Sequence, residues 1–382
     1  MARLTRAQQQ ARTRTAVLAA ARQEFIEFGY GPAKVDRIAE RAELTRGAVY
    51  SNFPSKRALY LAVLVDLVES VSTPAATEPP ASVSEALGAF AASWLERLPL
   101  GDDTTAGGRL QLRSLSGVIE DDHGRQVVAQ LARLEALLLA LGLETCERDG
   151  AKQRRVRLSE LAMTMLAGSS LLAEMAPGFG DPFDRTRAVQ HLERLDLADA
   201  WAPSHLPYVK PATVCKDAWA PPESTVDHIS GTRVDLDANG LVVVLGPARL
   251  SAAEEAMRSA RDGEPVTVVI VTSDPVETGT LVRLRISDLI SCARSVFPIQ
   301  AWASLRLVID DAAEIASTLG VANIDDQTEA AARIRGGLIV SRAAGHGAAY
   351  AAATADQELG SKVTLPNTPS ARQTSDISEG TG

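Results

Sequence analysis

The first 70 residues alternate short helical patterns with tight turns. Apolar residues from Val17 to Phe28 recur at steps of three and four, which predicts a helix over 7–28 that ends at Gly29. Similar patterns predict two short helices over 35–42 and 46–52 and a longer one over 56–71. Two short helices joined by a tight turn indicate a helix-turn-helix module, which we assign to residues 1–72.

The helical pattern resumes after a proline-containing joint and continues to residue 201. It predicts helices over 84–98, 107–119, 124–147, 155–175 and 184–200. The segment 158–172 carries a wide apolar stripe with small residues beside it, which permits close helix packing. We therefore expect an all-α domain over 83–201.

The period of the pattern changes in the last third of the chain. Five prolines within 202–224 predict a linker. Buried-type strands follow at Leu241–Leu245, Val266–Val271, Leu305–Ile309 and Gly337–Val340, separated by helical patterns over 250–261, 278–295 and 311–319. This alternation predicts an α/β domain over 225–356 with a largely parallel sheet. The polar stretch 357–382 is typical of a disordered tail.

Charge is divided unevenly along the chain. The 382 residues carry a net charge of −9, but residues 1–60 hold 11 Lys or Arg against five acids, a charge of +6. The other 322 residues therefore carry −15. A basic module on an acidic body indicates that the amino-terminal end meets a polyanion. The 46% of hydrophobic residues excludes a wholly disordered chain, and the 4% of aromatics argues against a base-stacking surface.

Cysteine content and hydropathy predict a cytoplasmic protein with no membrane partner. The three cysteines, Cys146, Cys215 and Cys292, form no CxxC motif and are odd in number, which favours a reducing compartment. No uninterrupted apolar stretch approaches the length of a membrane span, and the basic amino terminus lacks the apolar core of a signal peptide.

Two sequence segments of the first module are distinctive. Residues 35–42 read VDRIAERA, and residues 45–59 read TRGAVYSNFPSKRAL. Over about residues 10–65 the chain closely resembles the DNA-binding domain of TetR-family regulators. The helical segment 84–200 resembles that family's ligand-binding and dimerisation body in length and position. The resemblance implies double-stranded operator DNA, a small-molecule effector and a second copy of the chain as partners.

The predicted DNA-binding residues lie on and beside the helix over 46–52. A recognition helix enters the major groove by its amino-terminal end, so Gly47 and Ala48 would let the backbone approach the bases and Arg46 would pair with guanine. Thr45 caps the helix. The hydroxyl groups of Thr45 and Tyr50 and the ammonium groups of Lys34 and Lys56 would contact phosphates. The full predicted set is Lys34, Thr45, Arg46, Gly47, Ala48, Tyr50, Asn52 and Lys56.

Two residues depart from the family pattern. Glu43 stands at the turn position where the family usually has glycine, and a left-handed backbone there would cost about 1 kcal/mol. Asn52 stands where the family often has histidine, and it can still donate a hydrogen bond.

The carboxy-terminal segment resembles a thioredoxin-like, peroxiredoxin-type domain. The resemblance is carried by Ser273-Asp274-Pro275 after a strand and by Asp310-Asp311, Ile315-Ala316 and Gly320-Val321 before the final strand. Such enzymes hold a low-pKa cysteine at the start of the helix after the first strand, but residues 246–252 contain none. Cys292 is predicted to be an inert core thiol. We therefore expect no catalytic residue and a sensing or interaction role.

The remaining candidate chemistry is sparse. His123, His191, His205, His228 and His346 show no metal-ligand spacing, and His123 is predicted to lie in a loop. Gly336-Gly337 and Gly345-His346-Gly347 are turn signals rather than a phosphate cradle. The sequence thus predicts neither a metal nor a cofactor.

Together these observations predict a non-enzymatic, ligand-responsive transcriptional repressor. It would bind an inverted-repeat operator as a homodimer through helices near 155–175 and 184–200, with its effector held within 84–200. Removal of residues 225–382 should then leave DNA binding largely intact. The alternative is a thiol-dependent oxidoreductase fused to a DNA-binding head, which would need Cys292 or Cys215 at a reactive position.

Overall fold

The computed structural model describes residues 5–70, 74–97, 115, 117–146, 153–176, 178–197, 199–200, 203 and 205–361. The described helices before the sheet are α1 (Arg6–Phe28), α2 (Val35–Arg41), α3 (Arg46–Asn52), α4 (Lys56–Ser70), α5 (Val83–Leu95), α6 (Asp122–Glu144), α7 (Val156–Met175) and α8 (Pro182–His191). Their local signals are strong: Thr5, Ser82, Asp121 and Asp181 cap α1, α5, α6 and α8 with their side chains.

The carboxy-terminal region is a mixed α/β sheet. Its elements are β1 (Thr213–Ala218), β2 (Gly240–Leu245), α9 (Ala252–Ser259), β3 (Val266–Ile270), α10 (Thr280–Ala293), β4 (Leu305–Ile309), α11 (Glu314–Thr318), β5 (Glu329–Arg335), β6 (Leu338–Ala344) and α12 (Ala348–Ser361). The strand order is β1-β6-β5-β2-β3-β4. Strands β2, β3 and β4 pair in parallel, whereas β1, β6, β5 and β2 pair antiparallel.

Most of the predicted helices and the three parallel strands lie within one to four residues of the observed ones, but four predictions were wrong. The helix predicted over 184–200 is α8, which ends at His191 and is followed by the short turn Leu192–Arg194. The sheet is not largely parallel, because Gly336 and Gly337 adopt φ of 55° and 71° and turn β5 into β6 as a hairpin. The predicted linker 202–224 contains the edge strand β1. The tail predicted from 357 begins inside α12, and the residues after 361 lie outside the described part. Most of the predicted helix 107–119 also lies outside it, and residues 117–118 form a turn.

The two motifs of the carboxy-terminal resemblance are helix caps in the structure. The Asp274 carboxylate accepts hydrogen bonds from the backbone N–H groups of Glu277 and Thr278, both at 3.1 Å, in the wide turn Pro275–Gly279 that leads into α10. Asp310 accepts from the N–H groups of Glu314 and Ile315 at 3.0 and 2.9 Å at the start of α11. Both aspartates therefore have a local structural role.

The helix-turn-helix module (residues 1–72, the head), the helical domain (83–201, the body) and the sheet domain share one continuous hydrophobic core. It runs from Val17 in α1 to Ala353 in α12, and α10 packs against α4, α5 and α6. The Trp302 indole N–H donates to the backbone carbonyl of Leu138 at 2.8 Å. Phe297 packs so closely on Gly142 that an added Cβ would lie 2.8 Å from its ring. The other sheet face packs a smaller core around Trp219, Ile315 and Leu319.

Among the described residues, helix α6 is long and apolar enough to cross a membrane by length and composition, although charged residues such as Arg133 and Glu135 interrupt its apolar stretch. Of its most apolar stretch, 67% is buried inside the protein, against α7 and α10. Burial of this extent is typical of the core helix of a compact domain, so the helix is weak support for a membrane span.

Candidate nucleic-acid interface

Helices α2 and α3 form a helix-turn-helix unit on a small apolar core. Ile38 and Val49 are almost fully buried and join the two helices, while α1 and α4 cover them with Phe25 and Leu59. The Thr45 hydroxyl accepts a hydrogen bond from the Ala48 backbone N–H at 3.2 Å, so it caps α3 as predicted. This packing leaves the amino-terminal end of α3 exposed to solvent.

The turn between α2 and α3 has the strained backbone that the sequence suggested. Glu43 has φ of 56°, in the left-handed region that favours glycine. Its backbone N–H donates to the Glu40 carbonyl at 3.1 Å, and the Leu44 N–H donates to the Ala39 carbonyl at 2.9 Å. The Glu43 side chain is exposed, so the carboxylate is free to turn away from an approaching phosphate.

Arg46 lies on the exposed side of α3. Its guanidinium is 3.2 Å from the carboxylate of Asp36, with both side chains 61% exposed, and 5.4 Å from the ring centroid of Tyr50. A hydrogen bond with the Tyr50 hydroxyl and the charge of Asp36 raise the pKa of Arg46, so it stays cationic. Solvent-exposed ion pairs exchange partners easily, so a base or phosphate can replace Asp36.

Gly47 and Tyr50 share this exposed side of α3. Among the described residues, the nearest side-chain atom to a Cβ at position 47 would be the Thr45 hydroxyl, at 3.8 Å, so the described fold does not require glycine there. Tyr50 is 37% exposed. The half-buried Asn52 donates from its side-chain amide to the Ala48 carbonyl at 2.9 Å, so part of its hydrogen-bonding capacity is used inside the helix.

The two predicted phosphate-binding lysines differ in their surroundings. Lys34 precedes α2 and is exposed, and its backbone N–H donates to Glu24 at 3.2 Å. The Lys56 ammonium donates to the Gly31 carbonyl at 2.8 Å and lies 4.7 Å from the ring centroid of Tyr30. Burial lowers the pKa of Lys56. Lys56 therefore ties α4 to the turn after α1 and keeps donors for a phosphate.

Sequence reasoning missed the ionic support beneath this surface. Glu24 is fully buried, with its carboxylate 2.9 Å from Arg37 and 3.3 Å from Arg41. The Arg14 guanidinium stacks 4.3 Å from the Phe53 ring centroid and donates to the Asn52 carbonyl at 3.3 Å. The excess of arginine in the first 60 residues was the sequence signal for these contacts. The partners of the arginines could not be predicted, because they depend on how the helices pack and not on a local pattern.

None of the three cysteines occupies the position that a peroxiredoxin-type enzyme uses. That position follows β2, where Arg249 lies on a short turn and pairs with Glu329 at 2.9 Å. Cys292 is fully buried in α10, as predicted, and Cys146 is buried after α6. Cys215 is half-buried on the edge strand β1. The observed positions give no support to the oxidoreductase alternative.

A polar cleft of about 470 Å³ is lined by residues of both the helical body and the sheet domain. Helices α6 and α7 contribute Arg133, Arg157 and Glu160 to it, and the sheet side contributes Arg249 and Glu254 among others. Burial and then the charge of Glu254 raise the pKa of Glu160. A cleft with cations and anions on both walls suits a polar, charged ligand.

The position of His123 differs from the prediction. It lies in the first turn of α6 rather than in a loop, and its Nε2 atom is 2.8 Å from the carboxylate of Asp326. The contact joins the amino terminus of α6 to the sheet domain.

Comparisons with known proteins support the amino-terminal module. The model of bacterial regulatory proteins of the tetR family matches residues 17–63. The chain is 42% identical over 55 residues to the HTH-type transcriptional activator FasR of Mycolicibacterium smegmatis, a match that covers 14% of this chain and 25% of FasR. The chain therefore aligns with about a quarter of this curated relative.

Two solved structures resemble half of the chain. NalD, the secondary repressor of the MexAB-OprM multidrug efflux pump in Pseudomonas aeruginosa, is 21% identical with a TM-score of 0.32, over 50% of this chain and 99% of NalD. A putative TetR-family regulator from Mesorhizobium loti is 16% identical with a TM-score of 0.25, over 50% of this chain and 96% of its own. These TM-scores are low, so the assignment depends on the sequence matches and the α2–α3 geometry. Residues 17–63 therefore match the tetR-family regulatory proteins in sequence, and within them α2 and α3 have the geometry of a helix-turn-helix unit.

Proposed function

We propose that the protein is a ligand-responsive transcriptional repressor that binds an inverted-repeat operator as a homodimer. The observation that carries the proposal is the exposed end of α3, where Arg46, Gly47 and Tyr50 lie together on a basic head. A single short helix reads few base pairs, and a second copy on a two-fold axis doubles the contact. Lys34, Thr45, Ala48, Asn52 and Lys56 would contact the groove or the backbone around them.

An exposed apolar patch supports the homodimer. It consists of Leu171, Leu172 and Met175 at the end of α7, Phe179 before α8 and Phe183 in the first turn of α8, each between 41% and 79% exposed. Clustered exposed apolar side chains mark interaction surfaces in soluble proteins. The patch lies on the two helices that the sequence assigned to dimerisation, and burying it between two copies removes it from water.

The polar cleft supports the effector role. It lies along α6 and α7, at the edge of the predicted effector domain, and not wholly within residues 84–200. A ligand there touches the body and the sheet domain at once. It changes DNA affinity if it binds one relative arrangement of these parts better than another, because only differential affinity shifts a conformational equilibrium.

Contacts to the DNA-binding head support a sensing role for the carboxy-terminal domain. The hydroxyl of Ser55, just before α4, donates to the Glu277 carboxylate, and the Arg57 guanidinium lies 3.5 Å from the same carboxylate. Arg57 also lies 3.0 Å from Asp121 at the start of α6. A shift of the sheet domain therefore reaches the head through α4. The parallel β2-α9-β3 unit and the antiparallel β5–β6 hairpin followed by α12 support the thioredoxin-like assignment, without a catalytic cysteine.

Selection of bound fragments from random DNA tests this function. We expect an inverted repeat whose affinity falls steeply with salt, and absence of salt-sensitive affinity for any palindrome would contradict the proposal. Tyr50→Ala should weaken binding to all sequences alike, while Arg46→Ala should change the preference at one base pair by roughly ten- to a hundredfold.

A reporter gene under the selected sequence tests the direction of regulation. Lower expression in the presence of the protein supports repression. Higher expression would contradict repression and show that the protein is an activator. FasR, the relative described above, is named as a transcriptional activator.

A further inference from the structure

Three chemistry-bearing side chains that are far apart in sequence meet at one end of the polar cleft. They are His205, Glu255 and His346, and their candidate ligand atoms all lie within 4.8 Å of one another. The His205 Nε2 atom is 3.0 Å from a Glu255 carboxylate oxygen, and the two imidazole rings stack with centroids 4.0 Å apart. All three residues line the cleft.

The fold holds each of these residues on a separate, well-defined segment. Glu255 lies on α9, and His205 precedes a short helical turn over Leu206–Tyr208. His346 lies between two glycines with φ of 89° and 85°. The buried Glu329 carboxylate accepts hydrogen bonds from the Gly347 and Ala348 backbone N–H groups at 2.7 and 3.0 Å, which fixes the turn that carries His346.

The segment that carries His205 packs directly on the turn that carries His346. A Cβ added at Gly347 would lie 2.2 Å from Val209, so only glycine allows this approach. The glycines at 345 and 347, which the sequence marked only as turn signals, thus bring His346 to His205.

The polar atoms of this cluster are not satisfied by the described protein. Glu255 is only 7% exposed, and its buried Oε2 atom has no hydrogen-bond partner among the described residues. The buried His205 Nε2 atom, although close to Glu255, also lacks a hydrogen bond of acceptable geometry there. Buried polar atoms in native proteins are nearly always paired, so an unpaired carboxylate oxygen on a residue that lies beside two imidazoles points to a ligand.

The charges around the cluster are compatible with a bound cation. Arg249 lines the same cleft, and the Glu329 carboxylate neutralises it at 2.9 Å. The cluster itself contributes one carboxylate and two imidazoles, which are ligands that Zn²⁺ takes in proteins.

We propose that His205, Glu255 and His346 form a Zn²⁺ site with its fourth position open to the polar cleft. Two imidazoles and one carboxylate are a zinc ligand set, and ligands of tetrahedral Zn²⁺ lie about 3.4 Å from one another. The two imidazoles are stacked in the free protein, so side-chain rotations that unstack them are needed to bring the ligand atoms from the observed spread to that distance. The ion satisfies Glu255 and His205 together and joins the segment after the helical body to α9 and to the turn before α12.

Metal titration of the tag-free, chelator-treated full-length protein tests the site. We expect one Zn²⁺ per chain by calorimetry, and one Co²⁺ per chain with the intense visible absorption of tetrahedral coordination. His205→Ala, His346→Ala and Glu255→Gln should each weaken Zn²⁺ binding by at least about 100-fold, since even substitutions around ligands cost about 10–100-fold. The matched control is His191→Ala, because His191 is exposed on α8.

Three results would overturn the site. They are no stoichiometric Zn²⁺ binding by the wild type, equal affinity in the wild type and the three ligand variants, and a Co²⁺ spectrum of octahedral type. Glu255→Gln keeps the shape of the side chain, so it separates loss of a ligand from loss of folding. Circular dichroism of each variant identifies a misfolded one, and the result with Glu255→Gln then decides. The test is independent of the proposed repressor role, because it measures the metal and not DNA.

Discussion

At the scale of single residues, the requirements of the fold and of the proposed DNA recognition differ at Gly47. It lies in a helix, where glycine is unfavourable, and among the described residues outside its own backbone the nearest atom to the place a Cβ would take is the Thr45 hydroxyl, at 3.8 Å. Local stability therefore argues against glycine at this position, and close approach to another molecule argues for it.

We expect Gly47→Ala to raise the free energy of unfolding by up to about 1 kcal/mol, because alanine favours helix. The same change should weaken operator binding at least roughly tenfold, because the added methyl group lies between α3 and the base edges. Chemical unfolding and fluorescence anisotropy measure the two effects. Gly31→Ala is the control, since position 31 is also open and lies outside α3. Unchanged DNA affinity for Gly47→Ala would place the groove contact elsewhere.

Glu43 carries backbone strain that a single substitution should relieve. Glycine adopts φ of 56° without a steric penalty, so Glu43→Gly should raise the free energy of unfolding by about 1 kcal/mol. Glu40→Gly, three residues earlier within α2, should lower it by a similar amount. Thermal unfolding of both variants checks the prediction, and a loss of stability in Glu43→Gly would show that the side chain makes a compensating contact.

Residue partners were the least predictable feature. The sequence identified Arg46 and Lys56, but their partners Asp36 and Gly31 depend on how α2 and the turn after α1 pack. The His205, Glu255 and His346 cluster was missed for the same reason, because its members meet only through folding. Glu43 was predictable, since a turn of known geometry fixes its φ.

At the scale of elements, local periodicity predicted the helices and the strands of the parallel core. It failed at β5, whose sequence Glu-Ala-Ala-Ala-Arg has helical propensity and is a strand because β2 and β6 pair on both sides. It also failed at β1, which flanking prolines disguised and which pairs only along one edge. Both strands depend on neighbours distant in sequence.

The apolar patch on α7 and α8 makes a prediction at this scale. Met175→Asp combined with Phe183→Asp should give a folded monomer, because charged groups resist burial between two copies. Sedimentation velocity measures the change, and operator affinity should fall because two half-sites are no longer bound together. Val226→Asp, at an exposed apolar residue elsewhere, is the control. If the double variant stays dimeric, the interface lies on another surface.

At the scale of the whole molecule, the helical body and the sheet domain are not independent units. Phe297 and Trp302 insert into the helical body, so a chain that ends before the sheet would expose the surfaces they cover. Our expectation that DNA binding stays largely intact after removal of residues 225–382 therefore stays a prediction, and the truncated chain would expose apolar surface of the helical body. We placed the domain boundaries where the hydrophobic pattern changes from helical to strand periodicity. Such a change carries no information about which surfaces the domains bury against each other.

The ion pair between Arg285 and Glu135 tests this connection. The guanidinium of Arg285 in α10 contacts the Glu135 carboxylate in α6 at 2.6 and 2.8 Å, and Glu135 is almost fully buried. Glu135→Ala should lower the free energy of unfolding by about 3–5 kcal/mol, because it leaves a buried charge unpaired. The paired replacement of Glu135 by Leu and Arg285 by Met should recover most of this loss. Equal losses in the two proteins, measured by chemical unfolding, would contradict the pairing argument.

The contact of Ser55 and Arg57 with Glu277 has a consequence for protein engineering. Joining the module before α4 to another regulator, or another module to this chain, would bring together an α4 and an acidic turn whose side chains do not match. Under the proposed function, a chimera that responds to its effector must therefore keep the serine, the arginine and the glutamate together. Exchange at the domain boundary alone should then give hybrids that bind DNA without responding to the effector.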